Sequence, residues 1–206
     1  MPLPAPVTTQ TLPTTFMTTP SAAIYTRITY SLSVGKKFEF VLYYHPLYNE
    51  GVIREAQKAD APAIYGLIHE LADYERAPHE VIATLEDIEN TLFGSNPTAF
   101  CHVAESDGRV VGIAIWFLNY STWLGQPGIY LEDLYVQPEY RGKGLGLELM
   151  RTLAKICVDR GYQRFQWWVL DWNQPSINFY QSIGAVAMDE WTVYRLSGEA
   201  LERFAR

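Results

Sequence analysis

The chain has 206 residues and a formal net charge of −7 at pH 7. Such an acidic chain is unsuited to binding nucleic acid, so we expect its partner to be a cation or a neutral molecule. Apolar residues make up 48% of the sequence, which is ample for one buried core. Its apolar runs are shorter than the ~18 residues that a spanning helix needs, so we expect a soluble, cytoplasmic protein without a membrane partner.

The cysteine and histidine residues do not suggest a metal centre. The two cysteines, Cys101 and Cys157, lie in apolar patterns that are typical of buried free thiols in a reducing compartment. The four histidines do not recur at the short spacings of a ligand set. We therefore predict that the protein holds no metal.

Residues 1–51 differ in character from the rest of the chain. Residues 1–22 carry no charge and are rich in Pro and Thr, which predicts disorder, and they lack the basic segment of a signal peptide. Residues 24–48 are rich in β-forming side chains and are either an accessory hairpin or sequence added upstream of the domain. We predict an N-terminal extension over residues 1–51 and one globular domain over residues 52–206.

Apolar periodicity and turn residues divide residues 52–206 into strands and helices. Asp60 is expected to cap a first helix, and Thr84-x-x-Asp87 resembles a capping box that begins a second helix, ended by Gly94. Asp107-Gly108 is a hairpin signal. The predicted strands span residues 52–56, 99–105, 109–118, 130–136, 164–170 and 192–196, with a loop over residues 119–128. A third helix runs through Leu149, Met150, Leu153, Ile156 and Cys157, and a fourth covers residues 175–183. The order predicts an α/β fold with a mixed, mostly antiparallel twisted sheet flanked by helices.

The most informative stretch covers residues 130–147. A strand with two adjacent carboxylates, Glu132 and Asp133, turns at Pro138 and leads into glycines at every second position. A glycine-rich turn at a helix N-terminus presents unpaired backbone N–H groups beside the positive end of the helix dipole, which favours a bound phosphate. Residues 141–146 read Arg-x-x-Gly-x-Gly, and they match neither a Walker A loop nor the Gly-x-Gly-x-x-Gly dinucleotide fingerprint.

A second cluster begins the fourth predicted helix. Asn173 lies near the cap, Pro175 suits the first turn, and Ser176 and Tyr180 share one helix face at i, i+4. Taken alone, this is an ordinary capped helix with an amphipathic tyrosine. Together with residues 130–147, it resembles the GNAT superfamily of N-acetyltransferases, in which the glycine loop holds the pyrophosphate of coenzyme A. The resemblance implies the GNAT-like acyl-CoA N-acyltransferase fold and acetyl-CoA as the co-substrate.

Acetyl transfer from a thioester to an amine needs a base and an acid. A lysine-like amine has a pKa of ~10.4 and is protonated at neutral pH, while a departing thiolate, with a thiol pKa of ~8.5, benefits from a proton donor such as the Tyr180 phenol. Glu132 or Asp133 could bind the cation and relay its proton through water. Strict strand alternation would send these two side chains to opposite faces and argues against a dyad. The alternative for each is a surface ion pair.

Residues 52–204 resemble the spermidine/spermine (diamine) acetyltransferase branch of this superfamily. The stretches that carry the resemblance are residues 70–75, 120–123, 130–136, 141–146 and 171–180. The resemblance implies a homodimer, a small cationic amine as acceptor, Tyr180 as general acid, and Glu132 as the amine-binding residue that also serves as base through water. For coenzyme A it implies contacts from Leu134, Tyr135, Val136, Arg141, Gly142, Lys143, Gly144, Leu145, Gly146, Leu147, Asn173, Ser176 and Tyr180. For the amine it implies Tyr74, Glu75, Trp123, Glu132, Asp133 and Trp191.

One position departs from the polyamine-specific pattern. Those members carry an acidic residue where this chain has Ser121, and residues 120–123 and 170–174 look instead like the thialysine N-ε-acetyltransferase members. The loss of one anion weakens the case for a long polycation, but it permits thialysine, lysine or a diamine. Two other functions stay open, a protein acetyltransferase acting on N-termini or lysines, which needs an open groove, and a non-catalytic acyl-CoA sensor.

Overall fold

The computed structural model describes residues 24–31, 37–44 and 52–206. The predicted disorder of residues 1–22 therefore lies outside the described residues. The chain divides into two compact units, which meet in the sequence between Gln166 and Trp167, and each unit is described by itself.

The N-terminal extension contains a two-stranded hairpin. Strand β1 (Ile24–Ser31) pairs antiparallel with strand β2 (Lys37–Tyr44), and Ile24 lies opposite Tyr44. This agrees with the first of the two interpretations of residues 24–48. The domain boundary after residue 51 stays a prediction.

A five-stranded sheet forms the centre of the first unit. Its strands are β3 (Val52–Glu55), β4 (Phe100–Ser106), β5 (Arg109–Ser121), β6 (Gln126–Val136) and β7 (Phe165–Gln166). They lie side by side in chain order, with antiparallel pairs from β3 to β6 and a parallel pair between β6 and β7. The predicted mixed, mostly antiparallel sheet is thus confirmed.

The described residues contain five α-helices, three in the first unit and two in the second. They are α1 (Ala61–Tyr74), α2 (Leu85–Phe93), α3 (Leu145–Asp159), α4 (Gln174–Ser182) and α5 (Gly198–Phe204), with short 3-10 helices at Lys58–Asp60, Pro78–Glu80 and Pro138–Tyr140. Apolar residues of α1 and α2 pack on one face of the sheet in a core of Ile64, Leu67, Leu71, Leu92, Cys101, Val103, Ile113, Ile115 and Tyr135. Helix α3 contacts β4, β5 and β6.

The two predicted helix caps have different outcomes. Thr84 caps α2 as predicted, because its hydroxyl accepts a hydrogen bond from the Asp87 N–H while the Asp87 carboxylate accepts from Thr84. Asp60 precedes α1, but its side chain does not cap that helix. The carboxylate instead accepts hydrogen bonds from the Gln57 N–H at 2.7 Å and from the Arg54 guanidinium at 2.7 and 2.9 Å. The charged partner and the preceding 3-10 turn together hold the carboxylate away from α1.

The predicted loop over residues 119–128 is wrong. Strand β5 continues to Ser121 and β6 restarts at Gln126, so only four residues form the turn. Pro127 suggested a loop because it cannot donate a backbone hydrogen bond. It is tolerated near the start of β6, before the segment that pairs with β7. The Ser121 hydroxyl and carbonyl close the turn by accepting hydrogen bonds from the N–H groups of Leu124 and Gly125.

Two predicted strands near the C-terminus are also corrected. The strand predicted over residues 164–170 shrinks to β7, and residues 192–196 form no strand. A strand depends on a neighbour that satisfies its backbone groups, and β7 pairs with β6 only at two positions, opposite Ile129 and Tyr130. Helix α5 was not predicted, because seven residues are too short to show a clear helical period.

Candidate active site

A β-bulge lies in the middle of β6, at the two predicted carboxylates. Asp133 pairs with Ile115, and Leu131 pairs with Trp116, the next residue of β5, so Glu132 is an extra residue on β6. The predicted strict alternation of Glu132 and Asp133 is therefore wrong, because a bulge interrupts the period of two. Glu132 is exposed, whereas Asp133 is half-buried. Bulges occur often beside active sites, where they redirect a side chain.

The acidic trio consists of Glu75, Glu132 and Asp133. Asp133 lies in one cross-strand row with Ile115 and Cys101, two members of the core that α1 and α2 cover. Burial first, and then the charges of Glu132 and Glu75, raise the pKa of the Asp133 carboxyl to about 7. Burial also raises the pKa of Glu75, which ends α1 as its C-cap residue. The structure thus brings three of the predicted amine-binding residues close enough to interact electrostatically.

The predicted phosphate loop has the expected geometry. Gly142 and Gly144 have φ angles of 73° and 87°, in the left-handed region that glycine adopts without strain. Gly144 is the N-cap of α3 and leaves the helix without a side-chain cap. The N–H groups of the first helical turn are therefore directed at the space before the helix, where the positive end of the dipole favours an anion. A 15-residue helix supplies that dipole.

The loop residues fit the pyrophosphate of coenzyme A on their own geometry. A Cβ atom added at Gly142, Gly144 or Gly146 would meet nothing within 4 Å, so the space beside the backbone is open. The Lys143 ammonium lies over the Tyr140 ring, 4.8 Å from its centroid, and adds a positive charge beside the loop. Five further predicted cofactor residues lie on β6 (Leu134, Tyr135 and Val136) and in the first turn of α3 (Leu145 and Leu147).

Arg141 is held by contacts that the sequence did not reveal. Its Nε donates to the Val136 carbonyl at 2.7 Å, and its guanidinium lies 5.1 and 5.3 Å from the ring centroids of Tyr74 and Tyr135. Tyr135 is buried, and burial raises the pKa of its phenol, as does the nearby Glu70 carboxylate. The structure therefore joins a predicted cofactor residue to a predicted amine-binding residue, Tyr74.

In the second unit, α4 carries the predicted acid. The Asn173 Oδ1 atom accepts a hydrogen bond from the Ser176 N–H at 3.3 Å, so this side chain caps α4. The ring of Tyr180 packs 5.0 Å from that of Trp167 and 5.4 Å from that of Phe179, which orients the phenol. Ser176 and Tyr180 lie on one face of α4, as predicted. Their roles toward coenzyme A stay predictions.

Trp123 and Ser121 belong to the first unit, and Trp191 belongs to the second. Trp123 is exposed in the β5–β6 turn, and Trp191 is exposed in the second unit. Ser121 is buried at the end of β5, six residues from Ile115 and so about 20 Å along the strand from the bulge. Within the first unit, neither Trp123 nor Ser121 therefore lies at the acidic trio. Their predicted influence on the amine stays untested.

The cysteines are free and buried, as predicted. Burial is the main cause that raises the pKa of Cys101 to about 12, and it also raises the pKa of Cys157. Both thiols are thus poor nucleophiles at neutral pH. Among the described residues, no group of three His, Cys, Asp or Glu side chains is placed to hold a metal ion. In that same part of the chain, every helix is too short or too polar to span a membrane.

The sequence did not predict the bulge or the polar contact that follows β6. Gln137 donates through Nε2 to the Glu70 Oε1 atom at 2.8 Å, a contact between residues far apart in sequence. One signal for the bulge was present. Leu131 and Leu134 are apolar residues three positions apart, and an odd spacing breaks the period of a regular strand.

Strand β6 thus carries two carboxylates at a bulge and leads into an open glycine loop at the N-terminus of α3. A model of the acetyltransferase (GNAT) family matches residues 63–185. The thialysine N-epsilon-acetyltransferase of Mus musculus is 38% identical, over 74% of this chain and 96% of its own length. The L-ornithine N5-acetyltransferase NATA1 of Arabidopsis thaliana is 33% identical, over 73% of this chain and 86% of its own length.

Solved structures show the same fold. An integron cassette protein from the mobile metagenome of V. cholerae is 29% identical with a TM-score of 0.65, over 75% of this chain and 97% of that one. An aminoglycoside N-acetyltransferase in complex with CoA has a TM-score of 0.56 at 21% identity, over 70% of this chain and 93% of that one. The chain belongs to the acetyltransferase (GNAT) family, and it is an N-acetyltransferase. The predicted superfamily and branch are confirmed.

Proposed function

We propose that this protein transfers the acetyl group of acetyl-CoA to the primary amine of a small cationic molecule, with thialysine, lysine, ornithine or a short diamine as the acceptor. One observation carries the proposal. Strand β6 bears the acidic trio's two central carboxylates at its bulge and, three residues after Asp133, ends at Val136 before the glycine loop. Three residues of strand span about 10 Å, so one rigid element supports both an anion site and a cation site.

The activities of the relatives support a small amine as the acceptor. The relatives named above act on thialysine and on L-ornithine, both of which carry a primary amine on a short chain. The acidic trio suits such a cation because Glu132 is exposed and the Glu132 and Glu75 carboxylates both act on Asp133 through their negative charges. A protein substrate would present its amine on a bulky surface. We therefore regard acetylation of a protein as the alternative function, after acetylation of a small amine.

We propose that Glu132 and Asp133 divide the work of binding and deprotonation. Acetyl-CoA supplies a thioester carbonyl that the neutral amine attacks. Glu132, at the exposed bulge, contacts the ammonium and passes one of its protons through water. Asp133, with a pKa of about 7, can take up a proton near neutral pH, which is where a general base is effective. The amine nitrogen forms the new C–N bond directly, without an enzyme-bound acetyl group.

The departing sulfur needs a proton. We propose that the Tyr180 hydroxyl donates it as the C–S bond breaks and regains one from the amine nitrogen, which loses its second proton when it becomes the amide. The aromatic packing of Trp167 and Phe179 around Tyr180 supports this role, because it fixes the ring. The net products are the N-acetyl amine, the free thiol and one proton released to solvent.

An amine panel tests the proposal. Initial rates of thiol release from acetyl-CoA are measured with thialysine, lysine, ornithine, putrescine, spermidine, spermine and a basic peptide. We expect the short amines to give the highest kcat/KM. Turnover of the peptide alone would contradict the small-amine assignment. Tight CoA binding without turnover of any amine would favour the acyl-CoA sensor.

Two matched variants distinguish the roles of the Glu132 and Asp133 carboxylates. Glu132→Gln should raise the KM of the amine and keep a limb in the pH profile, shifted to lower pH because one of the charges that raise the pKa of Asp133 is removed. Asp133→Asn should remove that limb, because the titrating group of kcat/KM is lost. The opposite pattern would assign the base to Glu132 alone, as the family resemblance implies. Tyr180→Phe, which keeps the packed ring, should lower kcat with little change in the affinity for CoA.

The proposal includes a homodimer in the cytoplasm that needs no metal. These parts rest on the family resemblance and on the sequence. Sedimentation of the purified chain tests the oligomeric state, and activity after treatment with a chelator tests the need for a metal.

A further inference from the structure

The guanidinium of Arg141 lies over two tyrosine rings from different parts of the fold. Its Cζ atom is 5.1 Å from the ring centroid of Tyr74, the last residue of α1, and 5.3 Å from that of Tyr135 on β6. Both distances are within the ~6 Å at which an aromatic face attracts a cation. The side chain therefore bridges a helix and a strand at the point where the glycine loop begins.

A third contact fixes the direction of this side chain. The Arg141 Nε donates a hydrogen bond to the Val136 carbonyl at 2.7 Å, across the 3-10 helix Pro138–Tyr140. A guanidinium is planar, donates in its plane and stacks on its faces, so both kinds of contact can form together. A lysine cannot reproduce them, because its ammonium is a point charge at the end of a flexible chain.

Neighbouring contacts tie the same surface of α1 to the end of β6. Glu70 lies one turn before Tyr74 and accepts a hydrogen bond from the Gln137 Nε2 atom at 2.8 Å. Glu75, which follows Tyr74, belongs to the acidic trio and acts on Asp133 through its charge. A movement of the start of the loop would therefore be transmitted through Tyr74 to the carboxylate beside it.

We infer that Arg141 is a positioning residue that joins the glycine loop to the amine-binding end of α1, and that it is not a direct ligand of the pyrophosphate. The inference rests on the proposed function, because that function assigns the loop to the acyl donor and Glu75 to the amine. In this arrangement, the affinity for the amine depends on Arg141 although the side chain touches only the protein.

Two substitutions at Arg141 and two at Tyr74 test the inference, with two acyl donors. Arg141→Lys keeps the charge, which a phosphate contact needs, and Arg141→Gln removes it. Tyr74→Phe keeps the ring as a matched control for Tyr74→Leu. Acetyl-CoA carries the pyrophosphate, and S-acetylpantetheine lacks it. Steady-state rates with both donors separate effects on the amine KM, the donor KM and kcat.

We expect Arg141→Lys and Arg141→Gln to behave alike, each raising the amine KM about tenfold with a smaller change in kcat. The increase in the amine KM should be equal with acetyl-CoA and with S-acetylpantetheine. Tyr74→Leu should give a similar increase and add little to Arg141→Lys in the double variant, because both remove the same contact. Tyr74→Phe should raise the amine KM less than Tyr74→Leu does, because it keeps the ring that the guanidinium contacts.

Three outcomes would overturn the inference. One is wild-type kinetics for Arg141→Lys, since charge alone would then suffice. Another is a loss that appears with acetyl-CoA and not with S-acetylpantetheine, which would make Arg141 a pyrophosphate ligand. The third is full multiplication of the Arg141→Lys and Tyr74→Leu effects, which would make the two residues independent.

A failure of the proposed function would give results that differ from these three outcomes. In that case the wild-type chain would turn over none of the amines, and the role of Arg141 would be read from calorimetric titration of CoA. Equal CoA affinity for Arg141→Lys and Arg141→Gln would then support the positioning role. A CoA affinity retained by Arg141→Lys and lost by Arg141→Gln would refute it.

Discussion

Replacing Asp133 by asparagine should stabilise the fold and impair catalysis. Burial and the charges of Glu132 and Glu75 raise the pKa of Asp133 to about 7, while an unfolded aspartate titrates at ~3.9. Between these values the folded chain binds more protons than the unfolded chain, so the free energy of unfolding falls as the pH rises through this window. Asparagine is neutral and has no such dependence.

The size of the effect follows from the shift. A difference of about three pH units corresponds to about 4 kcal/mol at alkaline pH. Asp133 is half-buried, and solvent screening reduces the expected gain to about 2 kcal/mol. Asp133→Asn should therefore unfold at a higher urea concentration than the wild type at about pH 8, and the two proteins should converge below about pH 4.

Urea unfolding across this pH range is the assay, and kcat/KM with the preferred amine is measured in parallel. Glu132→Gln is the matched control, because that side chain is exposed and acts on Asp133 only through its charge. It should give a smaller gain in stability. A lower stability of Asp133→Asn at pH 8, or an unchanged pH dependence, would refute the reasoning, because it would mean that the folded protein stabilises the ionised form of Asp133.

Three further substitutions test other parts of the structure. Gly146→Ala adds a Cβ atom in open space within α3 and should stabilise the fold by about 0.5–1 kcal/mol in thermal melting, yet weaken CoA in calorimetric titration. Trp116→Phe removes the 3.1 Å hydrogen bond from its Nε1 to the buried His102 Nδ1, so urea unfolding should show a loss of about 1–3 kcal/mol. Hydrogen bonds from Arg54 lower the pKa of Asp60, so Asp60→Asn should cost about 1–2 kcal/mol at neutral pH. That difference should shrink as the pH falls below the ordinary value of 3.8.

The parts of the site that follow from local chemistry were predictable from the sequence. Gly142 and Gly144 adopt positive φ angles because the turn into α3 needs them, and the spacing of glycines before an apolar helical period shows that turn directly. The Thr84–Asp87 capping box is likewise a contact between near neighbours. Such features depend on a few adjacent residues and on no distant partner.

The parts that the sequence did not reveal depend on distant partners. The bulge at Glu132 exists only relative to the register of β5, and the odd spacing of Leu131 and Leu134 indicates a break in the strand period without specifying that register. The family resemblance implied a contact between Arg141 and coenzyme A, and it did not reveal that the Arg141 side chain contacts a tyrosine on α1. Residues 192–196 have β-forming side chains, yet propensity alone does not make a strand without a paired neighbour.

Strand β6 supports a cation site at its bulge and an anion site at the glycine loop that follows it. The bulge and Arg141 affect the stability of these two ends of the strand differently. The bulge presents Glu132 to solvent while Asp133 stays close to the core, so the carboxylate pair carries a cost in stability that a bound cation can offset. Arg141 fastens the other end of the strand to α1 and should contribute stability. Substitutions at the two ends are therefore expected to have opposite signs in unfolding experiments while both impair catalysis. A residue that served only the fold would lose activity and stability together, so the gain in stability expected for Asp133→Asn is what separates a functional carboxylate from a structural one.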